Sequence, residues 1–239
     1  MLNIVKITAI LAFAGVSFAA PTKFSASTAA PSSSSSSNST SSSGDGVTVT
    51  IKNSCSNNLK VYKLTNGGGD HESQVVSASS SHEFHVSSEW SGRFWGCKDS
   101  HDCASYGSAV SLAEFLFKGY EGSDFYDISF VDGFNLPMSI APEGKYGSGH
   151  DCGAPTCSSL PSCPDELKGK NGACKSACAA LGIEEYCCTG EYNSADKCKA
   201  SKYADQFKSG CSDAYSYAYD DVKSSFGCKA DKYIVTFCP

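Results

Sequence analysis

The cysteines constrain the fold of this chain more than any other feature of its sequence. All 14 lie between Cys55 and Cys238, and an even number of cysteines in an exported chain is typical of a disulfide framework. A metal site is the alternative, but the cysteines from Cys152 to Cys178 lack the paired CxxC spacing of zinc ligands. The sequence therefore predicts seven disulfides, no metal and no cofactor, and the count alone leaves the pairing open.

The start of the chain predicts export. Lys6 is followed by an apolar run over residues 7–18 and then by Ala19 and Ala20, which is the layout of a secretory signal peptide. The apolar run is shorter than the roughly 20 residues that a membrane-spanning helix needs. We therefore expect residues 1–20 to be a signal peptide. The protein would be secreted, extracellular or associated with a cell wall, without membrane insertion.

Residues 21–46 differ from the rest of the chain, because they are almost entirely Ser, Thr, Ala, Pro and Gly. Such a segment has too few apolar side chains to offset the entropy of folding. Asn38 begins an N-glycosylation sequon, and the hydroxyls suit O-glycosylation; an unmodified flexible tail is the alternative. We expect a Ser/Thr-rich disordered leader at 21–46, followed by one domain at 47–239.

The charge of the chain limits its partners. The net charge is −6, and Arg93 is the single arginine. An acidic surface without a basic stripe argues against nucleic acid and anionic lipid as partners, whereas a neutral polysaccharide is compatible with it. A single domain held by disulfides would be stable as a monomer, so we expect a monomer.

Short strands alternate with Gly- and Ser-rich turns through most of the domain. Residues 47–51 are apolar at every second position, and residues 233–237 are β-branched and aromatic. Segments 82–86, 93–96 and 125–131 have the same character. This regular spacing predicts a mainly β fold, either a sandwich or a barrel.

The region from about residue 150 to 211 has a different character. It is rich in cysteine and contains two helical patterns, at 173–181 and at 203–209, the second with Ser201 as N-cap and Gly210 as a stop. The region is too small to be stable by core packing alone. We therefore predict a cystine-rich insertion that contains short helices.

One segment makes the sequence more specific. Residues 126–138, YDISFVDGFNLPM, resemble the central signature of thaumatin-like proteins, the family of thaumatin, osmotin and pathogenesis-related group five. Further matches follow in the family's order: NSC at 53–55, GRFWG at 92–96, LAEF at 112–115, EYCC at 185–188, AYSYAYDD at 214–221 and TFCP at 236–239. The resemblance covers the whole cysteine-bearing domain. It implies a thaumatin-like β-sandwich core with a cystine-rich insertion.

The resemblance also implies how the cysteines pair. An eighth bridge that is common in the family is absent here, together with both of its cysteines. The implied bridges are Cys55–Cys238, Cys97–Cys103, Cys152–Cys228, Cys157–Cys211, Cys163–Cys174, Cys178–Cys187 and Cys188–Cys198.

The family's functional feature is an acidic cleft between the β core and the insertion, formed by one arginine, one glutamate and three aspartates. The acids that correspond in this chain are Glu114, Asp127, Asp132 and Asp220. The arginine's position holds Gly107, and Arg93 matches a different family position, so we do not expect it to substitute. Without that cation nearby, the acids of the cleft should ionise less readily.

Two of the acids are candidate catalytic residues. Glu114 lies in an apolar segment, which should raise its pKa, and the turn dipeptide Asp132-Gly133 would direct Asp132 into the cleft. A glutamate that keeps its proton facing an ionised aspartate is the arrangement that cleaves glycosidic bonds. Glu114 would donate the proton, Asp132 would act as nucleophile or base, and Asp127 and Asp220 would bind substrate. Acids in turns that only hydrogen-bond to the backbone are the structural alternative.

Aromatic side chains would complete a sugar-binding site by stacking on pyranose rings. The candidates are Phe134, Tyr215, Tyr217 and Tyr219, of which Phe134 and Tyr217 are assigned to substrate binding. Ordinary core packing is the alternative for each, and we favour it for Phe134.

The resemblance implies a protein that binds β-1,3-glucan, a β-glucan polysaccharide, in the acidic cleft at the cell wall, with weak endo-β-1,3-glucanase activity. Binding without hydrolysis is a second interpretation. The third is a defence, antifungal or enzyme-inhibitor protein that acts on a protein or membrane target. The acidic charge argues against attack on anionic lipid, which needs clustered Lys or Arg.

Overall fold

The alternating residues at the start of the domain form its first strand. Strand β1, Gly46–Asn53, buries Val47, Val49 and Ile51 against the core. Its partner on one side is the last strand of the chain, Lys232–Phe237, which runs parallel to it. The two ends of the domain are therefore neighbours in the middle of one sheet.

The computed structural model describes residues 46–68, 71–104 and 108–239. The predicted signal peptide, the leader with Asn38, and Gly107 lie outside the described residues. After β1, the strands are β2 Leu59–Thr65, β3 Glu72–Val76, β4 Ser80–Ser87, β5 Ser91–Lys98, β6 Leu112–Leu116, β7 Asp124–Ser129, β8 Gly133–Phe134, β9 Met138–Pro142, β10 Thr156–Cys157, β11 Cys174–Lys175, β12 Phe226–Cys228 and β13 Lys232–Phe237. The helices are α1 Ala177–Leu181, α2 Glu184–Cys187, α3 Lys202–Gly210 and α4 Asp221–Ser224, with 3₁₀ turns at Tyr120–Gly122, Asp165–Leu167, Lys170–Gly172 and Gly190–Tyr192.

Two large sheets form the core. One has the strand order β10-β9-β13-β1-β4 and the other β12-β7-β6-β5-β2-β3. Aromatic rings from the two sheets meet between them: Phe115 of β6 lies 5.6 Å from Tyr233 of β13, centre to centre, and Tyr126 of β7 lies 5.2 Å from the same ring. The sheets therefore pack face to face as a sandwich, and the predicted mainly β fold is confirmed.

A small third sheet connects the sandwich to the insertion. Strand β8, which follows the turn after β7, pairs with β11 of the cystine-rich region. The predicted helix at 173–181 is therefore too long: Cys174 and Lys175 form β11, and the helix begins at Ala177 after its N-cap, Ser176. Pairing with β8 overrides the helical propensity of the first residues.

Helix α3 agrees more closely with its prediction. The side chain of Ser201 caps it by accepting a hydrogen bond from the Ala204 amide. Gly210 is the last helical residue, and Cys211 is the C-cap. Within the ranges that the structure covers, no helix is long and apolar enough to cross a membrane.

All 14 cysteines are in disulfides. The bridges are Cys55–Cys238, Cys97–Cys103, Cys152–Cys228, Cys157–Cys211, Cys163–Cys174, Cys178–Cys187 and Cys188–Cys198. These are the pairs that the resemblance implies. Cys55–Cys238 joins residues 183 positions apart, and it follows the ends of the two parallel strands β1 and β13.

Candidate functional site

A row of charged side chains crosses three neighbouring strands. Arg93 of β5 is directly opposite Glu114 of β6, and Glu114 is directly opposite Asp127 of β7. Residues opposite each other in antiparallel strands share a face, with Cβ atoms about 4.5–5.5 Å apart. Strand register thus brings two of the expected acids together and places the single arginine beside them.

Glu114 occupies the centre of this row, with 30% of its side chain exposed. Burial raises the pKa of its carboxyl, and the negative charge of Asp132 raises it further. The guanidinium of Arg93, with Nη1 3.9 Å from Oε1, and a hydrogen bond with the Ser129 side chain favour the ionised form and lower the pKa. Burial dominates, so the raised pKa that the apolar segment predicts is confirmed in direction and in cause.

Asp132 reaches the row through a tight turn. The Gly133 amide donates to the Phe130 carbonyl at 2.9 Å, and Gly133 has φ +117°. A Cβ at Gly133 would lie 2.1 Å from the carbonyl oxygen of Cys174, so the turn and the contact with β11 both require glycine. Asp132 is half-buried; burial raises the pKa of its carboxyl, and the Arg93 charge lowers it. The turn that the Asp-Gly pair predicts is therefore present.

The prediction for Arg93 needs correction. The sequence predicts that Arg93 does not take the place of the missing family arginine, yet its guanidinium lies 3.9 Å from Glu114 and its charge lowers the pKa of Asp132 as well. The sequence does not predict the pairing of Arg93 with Glu114, because that pairing depends on the register of β5 against β6. Arg93 supplies the positive charge of the described site.

The side chain of Asp127 is more deeply buried than that of a residue that contacts a substrate. Only 3% of it is exposed, and burial raises the pKa of its carboxyl well above the usual value, with further contributions from the charges of Glu114 and Asp221. A buried carboxyl behind Glu114 cannot contact a polysaccharide. The assignment of Asp127 to direct substrate binding is therefore corrected.

Asp220 is also used inside the protein. Its Oδ2 accepts hydrogen bonds from the Ser216 amide at 3.1 Å and hydroxyl at 3.0 Å. The ammonium of Lys208 on α3 lies 2.9 Å from the same oxygen. Asp220 therefore fastens its loop to the insertion instead of facing a ligand. Its neighbour Asp221, which is not among the acids that the family resemblance implies, is the acid of this loop whose charge raises the pKa of Asp127.

The aromatic candidates separate by exposure. Phe134 is 2% exposed and packs against Phe130 and Phe207, at ring distances of 5.1 and 4.9 Å. Its assignment to substrate binding is wrong, and the alternative of core packing is correct.

Tyr215 is buried, and its hydroxyl donates to Asp221 at 3.1 Å. Tyr217 is half-buried, and burial together with Asp220 and Asp221 raises the pKa of its phenol. Tyr217 remains the candidate for stacking on a sugar.

We call Glu114, Asp127, Asp132 and Asp221 the acidic cluster. In the described part of the chain, no group of three or more His, Cys, Asp and Glu side chains could hold a metal ion. Glu114 and Asp132 are both half-buried, and the charge of Asp132 raises the pKa of Glu114. The charge of Asp132 therefore favours the protonated form of Glu114, whereas the charge of Arg93 favours the ionised form of both carboxyls. A proton donor next to an anion can carry out acid–base chemistry on an uncharged substrate.

Comparisons with known proteins identify the family. The family model for the thaumatin family matches residues 47–239. A pathogenesis-related thaumatin-like protein 3.5 from Cryptomeria japonica is 42% identical over 224 residues, covering 81% of this chain and 91% of the relative. A glucan endo-1,3-beta-glucosidase from Prunus avium is 37% identical over 227 residues, covering 80% of this chain and 90% of the relative.

Among solved structures, a laminaripentaose-producing β-1,3-glucanase in complex with laminaritetraose matches with a TM-score of 0.58. The match covers 82% of this chain and 99% of that one, at 10% identity. A match at an identity this low supports a shared fold, and it does not support the transfer of functional residues. The fold, the seven disulfides and the family match over the whole described domain agree with the resemblance in the sequence. This chain belongs to the thaumatin family.

Proposed function

We propose that this protein is a secreted, monomeric protein of the cell wall that binds β-1,3-glucan over the acidic cluster and hydrolyses it slowly. The observation that carries the proposal is the pairing of Glu114 with Asp132. These two carboxyls are half-buried and lie close enough that the charge of Asp132 raises the pKa of Glu114. The Prunus avium relative, named a glucan endo-1,3-beta-glucosidase, supports the choice of polymer.

In the proposed reaction, Glu114 is the general acid. It keeps its proton because it is desolvated and faces the charge of Asp132, and it gives that proton to the leaving glycosidic oxygen. Asp132 then acts as the nucleophile at the anomeric carbon, or as the base that activates a water molecule. Arg93 opposes the effect of burial on Asp132, because a nearby cation favours the charged form of a carboxyl.

Binding in this proposal relies on shape and stacking. A neutral glucan suits a chain with net charge −6, because it experiences neither attraction to nor repulsion from that charge. The half-buried ring of Tyr217, near Asp220 and Asp221, supplies an aromatic surface at the edge of the acidic cluster. Tyr217 would stack on a glucosyl ring while Glu114 and Asp132 face the scissile bond.

Retention of the mature protein on insoluble β-1,3-glucan tests the binding. We expect retention on β-1,3-glucan and not on cellulose. The Tyr217→Ala variant should bind with a Kd about fivefold higher, corresponding to about 1 kcal/mol. Tyr120→Ala is the matched control, because Tyr120 is 50% exposed and precedes β7 at the end away from Asp132. Equal retention on both polymers, or none on either, would overturn the binding proposal.

The position of Arg93 predicts how hydrolysis depends on pH. Replacing Arg93 with methionine removes the cation that lowers the pKa values of Glu114 and Asp132. Both pKa values should rise. The acidic limb, which needs ionised Asp132, and the basic limb, which needs protonated Glu114, should both move to higher pH. Rates of hydrolysis measured across pH test this, with Arg93→Lys as the control that keeps the charge. An unchanged profile in Arg93→Met would exclude Arg93 from the electrostatics of the site.

A further inference from the structure

Asp127 is a buried acid that the proposed reaction does not use. It lies on β7 opposite Glu114, with 3% of its surface exposed. Its Oδ1 is buried and has no hydrogen-bond partner among the described residues. Buried polar atoms nearly always have partners, and an ionised carboxylate, with its greater need for donors, is the costliest group to leave without one. The surroundings of Asp127 therefore disfavour its charged form.

The charges that face Asp127 also disfavour its ionised form. From β6 it faces Glu114, and from α4 it faces Asp221, and both are acids. Tyr215, on the segment next to β7, donates its hydroxyl to Asp221 rather than to Asp127. Arg93 of β5 lies on the far side of Glu114, and its contact is with the Glu114 carboxyl. Ionised Asp127 would be a buried anion between two other acids.

We propose that Asp127 is a positioning residue that stays protonated in the folded protein and places a neutral carboxyl behind Glu114. A charged Asp127 would repel the ionised form of Glu114 and raise the pKa of the Glu114 carboxyl further. The neutral side chain fills the same space without that repulsion. The role assigned to Glu114 rests on the proposed function, but the protonation state of Asp127 can be measured without any glucan.

The first experiment compares the pH dependence of unfolding in the wild type and in Asp127→Asn, by urea denaturation. The unfolded chain releases the Asp127 proton above the ordinary aspartate pKa of about 3.9, whereas the folded chain keeps it. The stabilising contribution of Asp127 is therefore complete below that pH and is lost as pH rises toward the folded pKa. Asparagine does not titrate. Relative to the variant, the wild-type folding constant should fall about tenfold per pH unit over this interval.

Asp196→Asn is the matched control, because Asp196 is an exposed aspartate outside the acidic cluster. A wild-type-to-variant ratio for Asp127→Asn that is independent of pH would overturn the proposal. The carboxyl carbon of Asp127, followed by NMR in the wild type, needs no variant and gives the same answer if Asp127→Asn fails to fold. A signal that stays in the protonated range well above pH 4 supports the proposal, and a titration near the ordinary pKa of about 3.9 contradicts it.

The pH profile of glucan hydrolysis distinguishes a neutral Asp127 from an ionised one. Asparagine has nearly the shape of a protonated aspartate, so Asp127→Asn should leave both limbs of the profile in place. If Asp127 were ionised, the variant would remove a negative charge beside Glu114, lower its pKa and move the basic limb to lower pH, which would overturn the proposal. Loss of glucan hydrolysis in the wild type would refute the proposed function, while the unfolding data would still decide the state of Asp127.

Discussion

Replacing Glu114 with glutamine is expected to lower the rate of β-1,3-glucan hydrolysis by about 10²–10⁴-fold, the usual contribution of a general acid. Glutamine keeps the shape of the side chain and cannot donate the catalytic proton. Glucan retention should persist, because the side chain is only partly exposed and the proposed stacking residue, Tyr217, is untouched. The measurement is release of reducing ends from a soluble β-1,3-glucan by purified wild type and variant.

Glu143→Gln is the control for this experiment. Glu143 is an exposed glutamate after β9, outside the acidic cluster, so its variant should hydrolyse glucan at the wild-type rate. Equal rates for wild type and Glu114→Gln would exclude Glu114 as the acid. If neither protein releases sugar but both are retained on glucan, the protein binds the polymer without cutting it, and the hydrolytic part of the proposed function is wrong.

The resemblance in the sequence placed the acids in a common region, but it could not give their depth. Alternation along β7 shows which residues share a face with Asp127, but five of the six residues of β7 are buried, so alternation does not reveal which face is covered. Whether that face is covered depends on segments far away in sequence, here the loop that carries Tyr215 and Asp221. Asp127 is therefore almost completely buried, although the family resemblance implies that it contacts substrate.

Strand register explains why the sequence does not predict the contact between Arg93 and Glu114. Its position in β5 aligns with Glu114 only because β5 and β6 pair in one register, and a shift by one residue would turn one of the two side chains to the other face. Nothing in the sequence of either strand specifies that alignment by itself. The same limit applies to Asp220 and Asp221, since adjacent identical residues differ only in which one turns toward Lys208.

Removal of the Cys55–Cys238 disulfide, by replacing both cysteines with serine, is expected to have the largest effect on stability. β1 and β13 are parallel neighbours from opposite ends of the domain, so their pairing closes a loop of 183 residues. With Cys152–Cys228 intact, the shortest covalent path in the unfolded chain is still on the order of 100 residues. For a loop of that size, the chain-entropy model gives a loss of about 4–5 kcal/mol.

The Cys97–Cys103 bridge provides the control, because it spans only 6 positions within one end of the second sheet. The same model gives a loss of about 2 kcal/mol for its double serine variant. Urea unfolding midpoints of the two variants test the difference, since the midpoint falls with stability when the slope is unchanged. If both variants lose the same stability, loop closure is not what the terminal bridge contributes. The parallel pairing of β1 with β13 would then be sustained by its buried side chains, Val49, Ile51 and Val235 among them.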